Sequence, residues 1–126
     1  MKNKVCFFEI PASDVNKAKT FYETVFDWKV EPEGNEGAMA FTTASDKEHH
    51  PTEPGDINGE FYKRKSKEDH PSVGVETDSI DNTLKAVEKA GGKVVTPKHP
   101  IGEWGFMADF ADSEGNVMAL WEKPKK

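Results

Sequence analysis

The residues with chemistry to offer are few, and Glu9 is the first of them. In Val5-Cys6-Phe7-Phe8-Glu9-Ile10, strand alternation puts Glu9 on one face with Phe7 and Val5, and Cys6, Phe8 and Ile10 on the other. A carboxylate on an apolar face is costly unless it is solvated, paired or used. Glu9 is therefore a candidate general base or hydrogen-bond acceptor for a ligand, or else a carboxylate bonded to nearby backbone or a basic side chain. Trp104 and Trp121 offer flat surfaces for stacking on a ligand, or for core or dimer packing, and Trp121 shares the period-two face of Val117 and Ala119. His49, His50, His70 and His99 read as exposed loop histidines, the adjacent pair able to take up transition metals adventitiously. Cys6 has no sequence neighbour that would activate a thiolate and reads as structural.

These residues need elements to hold them. Lys4 to Ile10 reads as a strand closed by Pro11, and Ser13 or Asp14 can cap a helix. In that helix Val15, Ala18, Phe21, Tyr22, Val25 and Phe26 recur at three- and four-residue steps, which predicts one buried stripe. Trp28 to Val30 and Gly37 to Thr42 suit a hairpin across the turn formers Glu31-Pro32-Glu33-Gly34-Asn35. Thr43 to Asp56 is polar and long for a connection inside a domain, so it should be mobile or form a flap over a site. Ile57 to Arg64 resumes strand character.

The order then repeats. Ser72 to Thr77 reads as a strand and Asp78 or Ser79 as a cap. Ile80, Leu84, Val87 and Ala90 form a helical stripe ending at Gly91-Gly92, and Lys93 to Thr96, Gly105 to Asp109 and Asn116 to Trp121 read as strands. Asp14 through Lys29-Val30 lies 64 residues before Asp78 through Lys93-Val94. Such a repeat implies two modules of strand, helix and three strands. One helix can cover only one face of each sheet, so the opposite face is left for something else or for a cavity. The expected architecture is α+β: one domain over residues 1–126, with module one at about 1–65 and module two at about 70–126. The two βαβββ modules should form a curved mixed sheet, a cup with helices outside.

Composition narrows the function. A net charge of −6 and a pI near 5.2 oppose general attraction to nucleic acid or anionic membrane. The one basic cluster, Lys63-Arg64-Lys65 with Lys67, runs into Glu68-Asp69 and reads as a solvated connector. No apolar run approaches the roughly 18 residues that cross a bilayer, and Met1-Lys2-Asn3-Lys4 leads into a strand rather than a signal peptide. A single cysteine excludes an internal disulfide framework and agrees with a reducing, cytoplasmic setting.

At this point the chain resembles the vicinal-oxygen-chelate (VOC) superfamily, the glyoxalase, bleomycin-resistance and extradiol-dioxygenase group. The residues that carry the resemblance are Phe8-Glu9-Ile10-Pro11-Ala12 with Asp14, Ala18 and Phe21-Tyr22, then Phe26-Asp27-Trp28 and Gly55-Asp56-Ile57-Asn58-Gly59. Phe110-Ala111-Asp112-Ser113-Glu114-Gly115-Asn116 leading to Leu120-Trp121-Glu122 completes the set. Metal-dependent members hold a divalent ion with four His or Glu side chains, and the ion acts as a Lewis acid. The resemblance aligns those positions with Phe7, Ser72, Ala119 and Glu60, of which only Glu60 can ligate. It implies a metal-free cup without a cofactor, lined by Phe7, Glu9, Glu60, Ser72, Trp104, Ala119 and Trp121. The expected function is metal-independent binding of a small aromatic or amphiphilic molecule. The alternative is a lyase, isomerase or dioxygenase-type enzyme using Glu9 or a metal at Glu60. A homodimer is the assembly that the resemblance implies.

Overall fold

In the computed structural model, which describes residues 3–125 apart from Asn35, residues 7–71 cluster into one unit and the residues before and after them into a second. Met1, Lys2 and the Asn35 of the expected turn lie outside the described residues. The residues before Phe7 go with the second unit, where the Lys4 carbonyl accepts the Glu76 amide at 2.9 Å.

The first unit contains most of β1 (Val5–Ala12), then α1 (Val15–Phe26), β2 (Lys29–Glu33), β3 (Gly37–Phe41) and β4 (Asn58–Lys63), with the strands ordered β2-β3-β4-β1. β1 runs parallel to β4 and the other pairs are antiparallel. One face carries the core: buried Val30, Ala38, Ala40 and Phe61, against which Phe8, Ile10, Val15, Ala18, Tyr22 and Trp28 pack. Gly59 lies directly beneath the Phe8 ring, where a Cβ would come within 2.4 Å of ring carbon, so only glycine fits that strand position.

Asp14, rather than Ser13, caps α1 by accepting the Lys17 amide at 3.1 Å, and the helix ends on Asp27 in the left-handed region at φ 60°. The predicted buried stripe is too wide. Val15, Ala18 and Tyr22 meet the sheet, but Phe21, Val25 and Phe26 are 56%, 53% and 56% exposed. Four apolar residues between positions 21 and 26 span more of the helix circumference than one sheet face can cover.

The second unit contains β5 (Ser72–Glu76), α2 (Ile80–Lys89), β6 (Lys93–Pro100), a 3-10 turn at Gly102–Trp104, β7 (Phe106–Ala111) and β8 (Val117–Glu122). Its strands are ordered β5-β8-β7-β6, β5 being parallel to β8. Ile80, Leu84, Ala108 and Leu120 form its core, with Val75, Val94, Phe106 and Phe110 around them. Ser79 supplies the cap, one residue beyond the position the 64-residue repeat assigns to Asp14. The amide of Gly92 donates to the Val87 carbonyl at 2.9 Å, closing the helix as its glycine pair predicts. β6 continues past Thr96 to Pro100, where His99 pairs with Met107 and Pro100 with Phe106, across register irregularities on either side of Thr96. Buried Glu122 accepts the Ile80 amide at the α2 N-terminus (2.8 Å), and Lys98 reaches it at 3.4 Å while lying 4.5 Å from the centre of the Phe106 ring.

Each unit is therefore a βαβββ module with a mixed sheet and one helix, which is the expected α+β class. Among the described residues, no helix is long and apolar enough to cross a membrane.

Candidate functional site

Strand register fixes what each sheet carries on the face away from its helix. In the first module Glu9 pairs with Glu60, Glu60 with Met39, and Met39 with Glu31, so these four side chains form one row. The flanking rows contain Phe7 opposite Asn58, Lys29 opposite Phe41, and Glu33 opposite Gly37. Phe7, Glu9 and Glu60 thus share a face, as alternation requires, while Phe8 and Ile10 pack into the core. This face is acidic. Loss of hydration, followed by the charges of Glu60 and Glu31, holds the Glu33 carboxyl above its ordinary value, with His49 pulling the other way.

At the Lys29–Phe41 end of this face lies a hollow of about 530 Å³, a volume typical of small-molecule sites. Asp27, Lys29, Glu31 and Phe41 line it from the helix end and the strands, and the loop Thr42–Asp46 with His49 lines the other side. Lys29 and Glu31 pair at 3.1 Å, and the His49 ring lies 5.3 Å from the Phe41 ring.

The loop is held by specific bonds. Buried Asn58 accepts the Thr42 amide at 2.9 Å and donates to the Ser45 hydroxyl at 2.8 Å and the His49 carbonyl at 3.4 Å. The Thr42 hydroxyl donates to the Ile57 carbonyl at 2.6 Å, and Ser45 bridges to Pro51. Asp46 accepts the amides of His50 and Glu48, and the His50 bond is the main reason its carboxyl lies below the usual range. These bonds anchor the loop expected to be either mobile or a flap. His49 is not the exposed histidine expected from the letters: it is half-buried on Phe41 with φ 69°.

Among the described residues, Asp27 and His49 are the non-glycine residues with positive φ, and both line the hollow. At Asp27 the left-handed backbone closes α1, whereas at His49 it lies within the loop. None of the seven residues named from the sequence lines this hollow, although Phe7, Glu9 and Glu60 share its sheet face. Asn58 was visible only as a letter in a family motif, and its hydrogen bonds to the loop have no sequence periodicity.

In the second module, Ala119 pairs with Gly74 and Asp109, and Trp121 with Glu76 and Met107, which places Ser72, Ala119 and Trp121 on one face. Ala119 is fully buried. The Trp121 indole N–H donates to the Trp104 carbonyl at 2.7 Å, tying the 3-10 turn to β8. That bond occupies the polar edge of Trp121 in a structural role. His70 and His99 are exposed, as expected. Cys6 is half-buried, and burial, with a smaller push from Glu76, raises its thiol to about 11, which leaves it an inert thiol at neutral pH.

The divalent ion that metal-dependent members hold does not fit these residues. Phe7, Ser72 and Ala119, which the resemblance aligns with three of the ligand positions, offer a ring, a neutral hydroxyl and a methyl group there. Among the described residues, no three His, Cys, Asp or Glu side chains come together in an arrangement able to hold a metal.

The family described as Glyoxalase/Bleomycin resistance protein/Dioxygenase superfamily matches residues 4–120, and the chain belongs to it. A glyoxylase-like domain-containing protein of Didymella fabae is 31% identical over 134 residues, covering 100% of this chain and 98% of its own. A variant of Streptomyces coelicolor methylmalonyl-CoA epimerase, solved with 2-nitronate-propionyl-CoA, superposes with a TM-score of 0.68 at 12% identity. That alignment covers 99% of this chain and 100% of the epimerase chain. A variant of homoprotocatechuate 2,3-dioxygenase from B. fuscum gives 0.64 at 14% identity, covering 97% of this chain and 32% of its own. At these identities the two structures speak for the fold alone.

Proposed function

We propose that this protein binds a small aromatic or amphiphilic molecule without a metal, and that the hollow of the first module is where the molecule sits. The observation carrying this reading is the hollow of about 530 Å³ itself, where Phe41 and the anchored loop with His49 face Asp27, Lys29 and Glu31. Phe41 supplies an apolar surface there, and the loop hydroxyls and carboxylates supply polar contacts. The non-ligating Phe7, Ser72 and Ala119 support the metal-free part of the reading. The single, half-buried Cys6 is compatible with a reducing, cytoplasmic setting.

One arrangement supports a second reading. Glu9 and Glu60 lie directly opposite each other on the same sheet face, a carboxylate pair of the kind that can divide acid and base roles in an enzyme.

Thermal unfolding against a panel of small aromatic and amphiphilic compounds tests the proposal. At least one compound should raise the midpoint, the rise should vanish in Phe41→Ala, and it should persist in Trp104→Ala. A shift that survives Phe41→Ala would place the site elsewhere, and a panel without any shift would count against a binding role. If a bound compound is turned over, Glu9→Gln should abolish turnover while binding persists; full activity in that variant would remove Glu9 as a base.

A further inference from the structure

Two adjacent positions at the start of β4 are each fixed by a separate structural demand. Asn58 uses both ends of its amide. The oxygen accepts the Thr42 N–H at 2.9 Å, and the nitrogen donates to the Ser45 hydroxyl at 2.8 Å and the His49 carbonyl at 3.4 Å. A carboxylate in its place could accept but not donate. Position 59 must be glycine, because a Cβ there would run into the Phe8 ring. The two demands together write Asn-Gly. In that pair a backbone nitrogen approaches the preceding side-chain carbonyl with the least steric hindrance, since the second residue has no Cβ. The remaining asparagines, Asn3, Asn16, Asn35, Asn82 and Asn116, precede lysine, lysine, glutamate, threonine and valine.

We infer that Asn58 is a site of spontaneous covalent modification, guarded by the loop it anchors. The Gly59 nitrogen attacks Asn58 Cγ and gives up its proton. The N–Cγ bond forms, the Cγ–Nδ2 bond breaks, and ammonia leaves with that proton, so side chain and backbone are joined in a five-membered succinimide. Water then opens the ring. Attack at Cγ leaves aspartate, and attack at the main-chain carbonyl carbon leaves isoaspartate, whose backbone runs through Cβ and Cγ. Nothing is oxidised or reduced.

The fold holds this reaction back. The Asn58 side chain must leave its three partners, and Gly59 must leave the extended ladder, where it lies between Phe8 of β1 and Ala40 of β3. Modification therefore proceeds from the fraction of chains in which the loop and the first residues of β4 are open. Asn58 is the first residue of that strand, where local opening costs less than in the strand interior. Either product keeps the loop from closing as before. Aspartate sets a carboxylate against the His49 carbonyl and has no N–H for it or for the Ser45 hydroxyl. Isoaspartate also lengthens the main chain by one carbon beside the Phe7–Asn58 pair. Because ammonia is lost, each converted chain loses one wall of its hollow for good, whatever that hollow holds.

Peptide mass spectrometry of the whole protein incubated at mildly alkaline pH tests this, reading the mass gain that replaces NH2 by OH. In guanidinium chloride Asn58 should be converted ahead of every other asparagine, and in the folded chain it should be converted at least about tenfold more slowly. Ser45→Ala removes one partner of the Asn58 amide, and should raise the folded rate at Asn58 about three- to tenfold while leaving Asn82 and Asn116 unchanged. Asn58→Asp should stay folded by circular dichroism, with faster hydrogen exchange at the Thr52 amide, which the closed loop bonds to the Ala44 carbonyl. Asn58 left intact in folded wild type and folded Ser45→Ala, while the unfolded chain converts fully, would overturn the site. Equal folded rates in those two proteins would overturn the guarding role of the loop. Wild-type exchange at Thr52 in Asn58→Asp would overturn the release of the loop by modification.

Discussion

Glu33 shows how a single residue reports on the acidic face of the first module. Its carboxyl is held above the ordinary value by lost hydration and by Glu60 and Glu31, so the folded state favours its protonated form. The folded chain therefore binds more protons than the unfolded one at this site, and stability falls as pH rises through the carboxylate range. The loss is complete once pH exceeds the raised folded value. Glu33→Gln removes that charge and should raise stability at pH 7 by no more than about 0.5 kcal/mol, because Glu33 is largely solvent-exposed. Unfolding midpoints of variant and wild type should converge at pH values below the carboxylate range. A variant less stable than wild type at neutral pH would mean that the attraction of His49 outweighs the repulsions. Glu23, Asp46 and Asp112 act in the opposite sense: hydrogen bonds lower their values, chiefly from the Lys19 side chain, the His50 amide and the Asn116 amide. Their contribution is lost as pH falls through those lowered values, so only the difference between variant and wild type isolates Glu33.

At the scale of elements, Asn58 does the most for the site. It lies at the start of β4 with its side chain buried, and it satisfies Thr42, Ser45 and His49 of the loop together. Asn58→Leu would leave half-buried loop groups without partners and should cost about 1–2 kcal/mol, with faster hydrogen exchange at the Thr42 amide. Thr52→Ala removes only an exposed hydroxyl bond to the Ala44 carbonyl and should stay within about 0.5 kcal/mol. Equal losses in the two variants, measured by denaturant unfolding, would show that Asn58 does not anchor the loop. The same loop explains why the hollow was hidden in the letters. Its lining residues are polar and aperiodic, and they are placed by one side chain reaching back from a strand, so no pattern of spacing marks them. The strands were legible because one-sided burial enforces alternation: Phe7 and Glu9 lie on one face and Phe8 and Ile10 in the core, as read. In α1, periodicity identified the helix but not its buried width, because apolar letters facing a sheet and apolar letters facing outward look alike.

For the whole molecule, the family was legible because its motifs recur in order across both modules, and the matched span of residues 4–120 covers nearly the whole chain. Its ligand was not legible, because the positions that the resemblance aligns with the metal ligands hold Phe7, Ser72 and Ala119. Metal affinity comes from several ligands fixed together, and Glu60 alone would leave a divalent ion largely bound to water. Protein stripped with EDTA and then given manganese, iron(II), nickel or zinc should therefore keep its unfolding midpoint. A native metal site would instead add roughly 2.7 kcal/mol at a hundredfold excess over its dissociation constant. Glu60→Gln separates the sources of any rise. A rise with one ion that disappears in Glu60→Gln would overturn the metal-free reading and favour the metal-dependent alternative. A rise that survives Glu60→Gln but is lost when His49 and His50 are replaced belongs to the histidine pair of the loop, and leaves the metal-free reading intact.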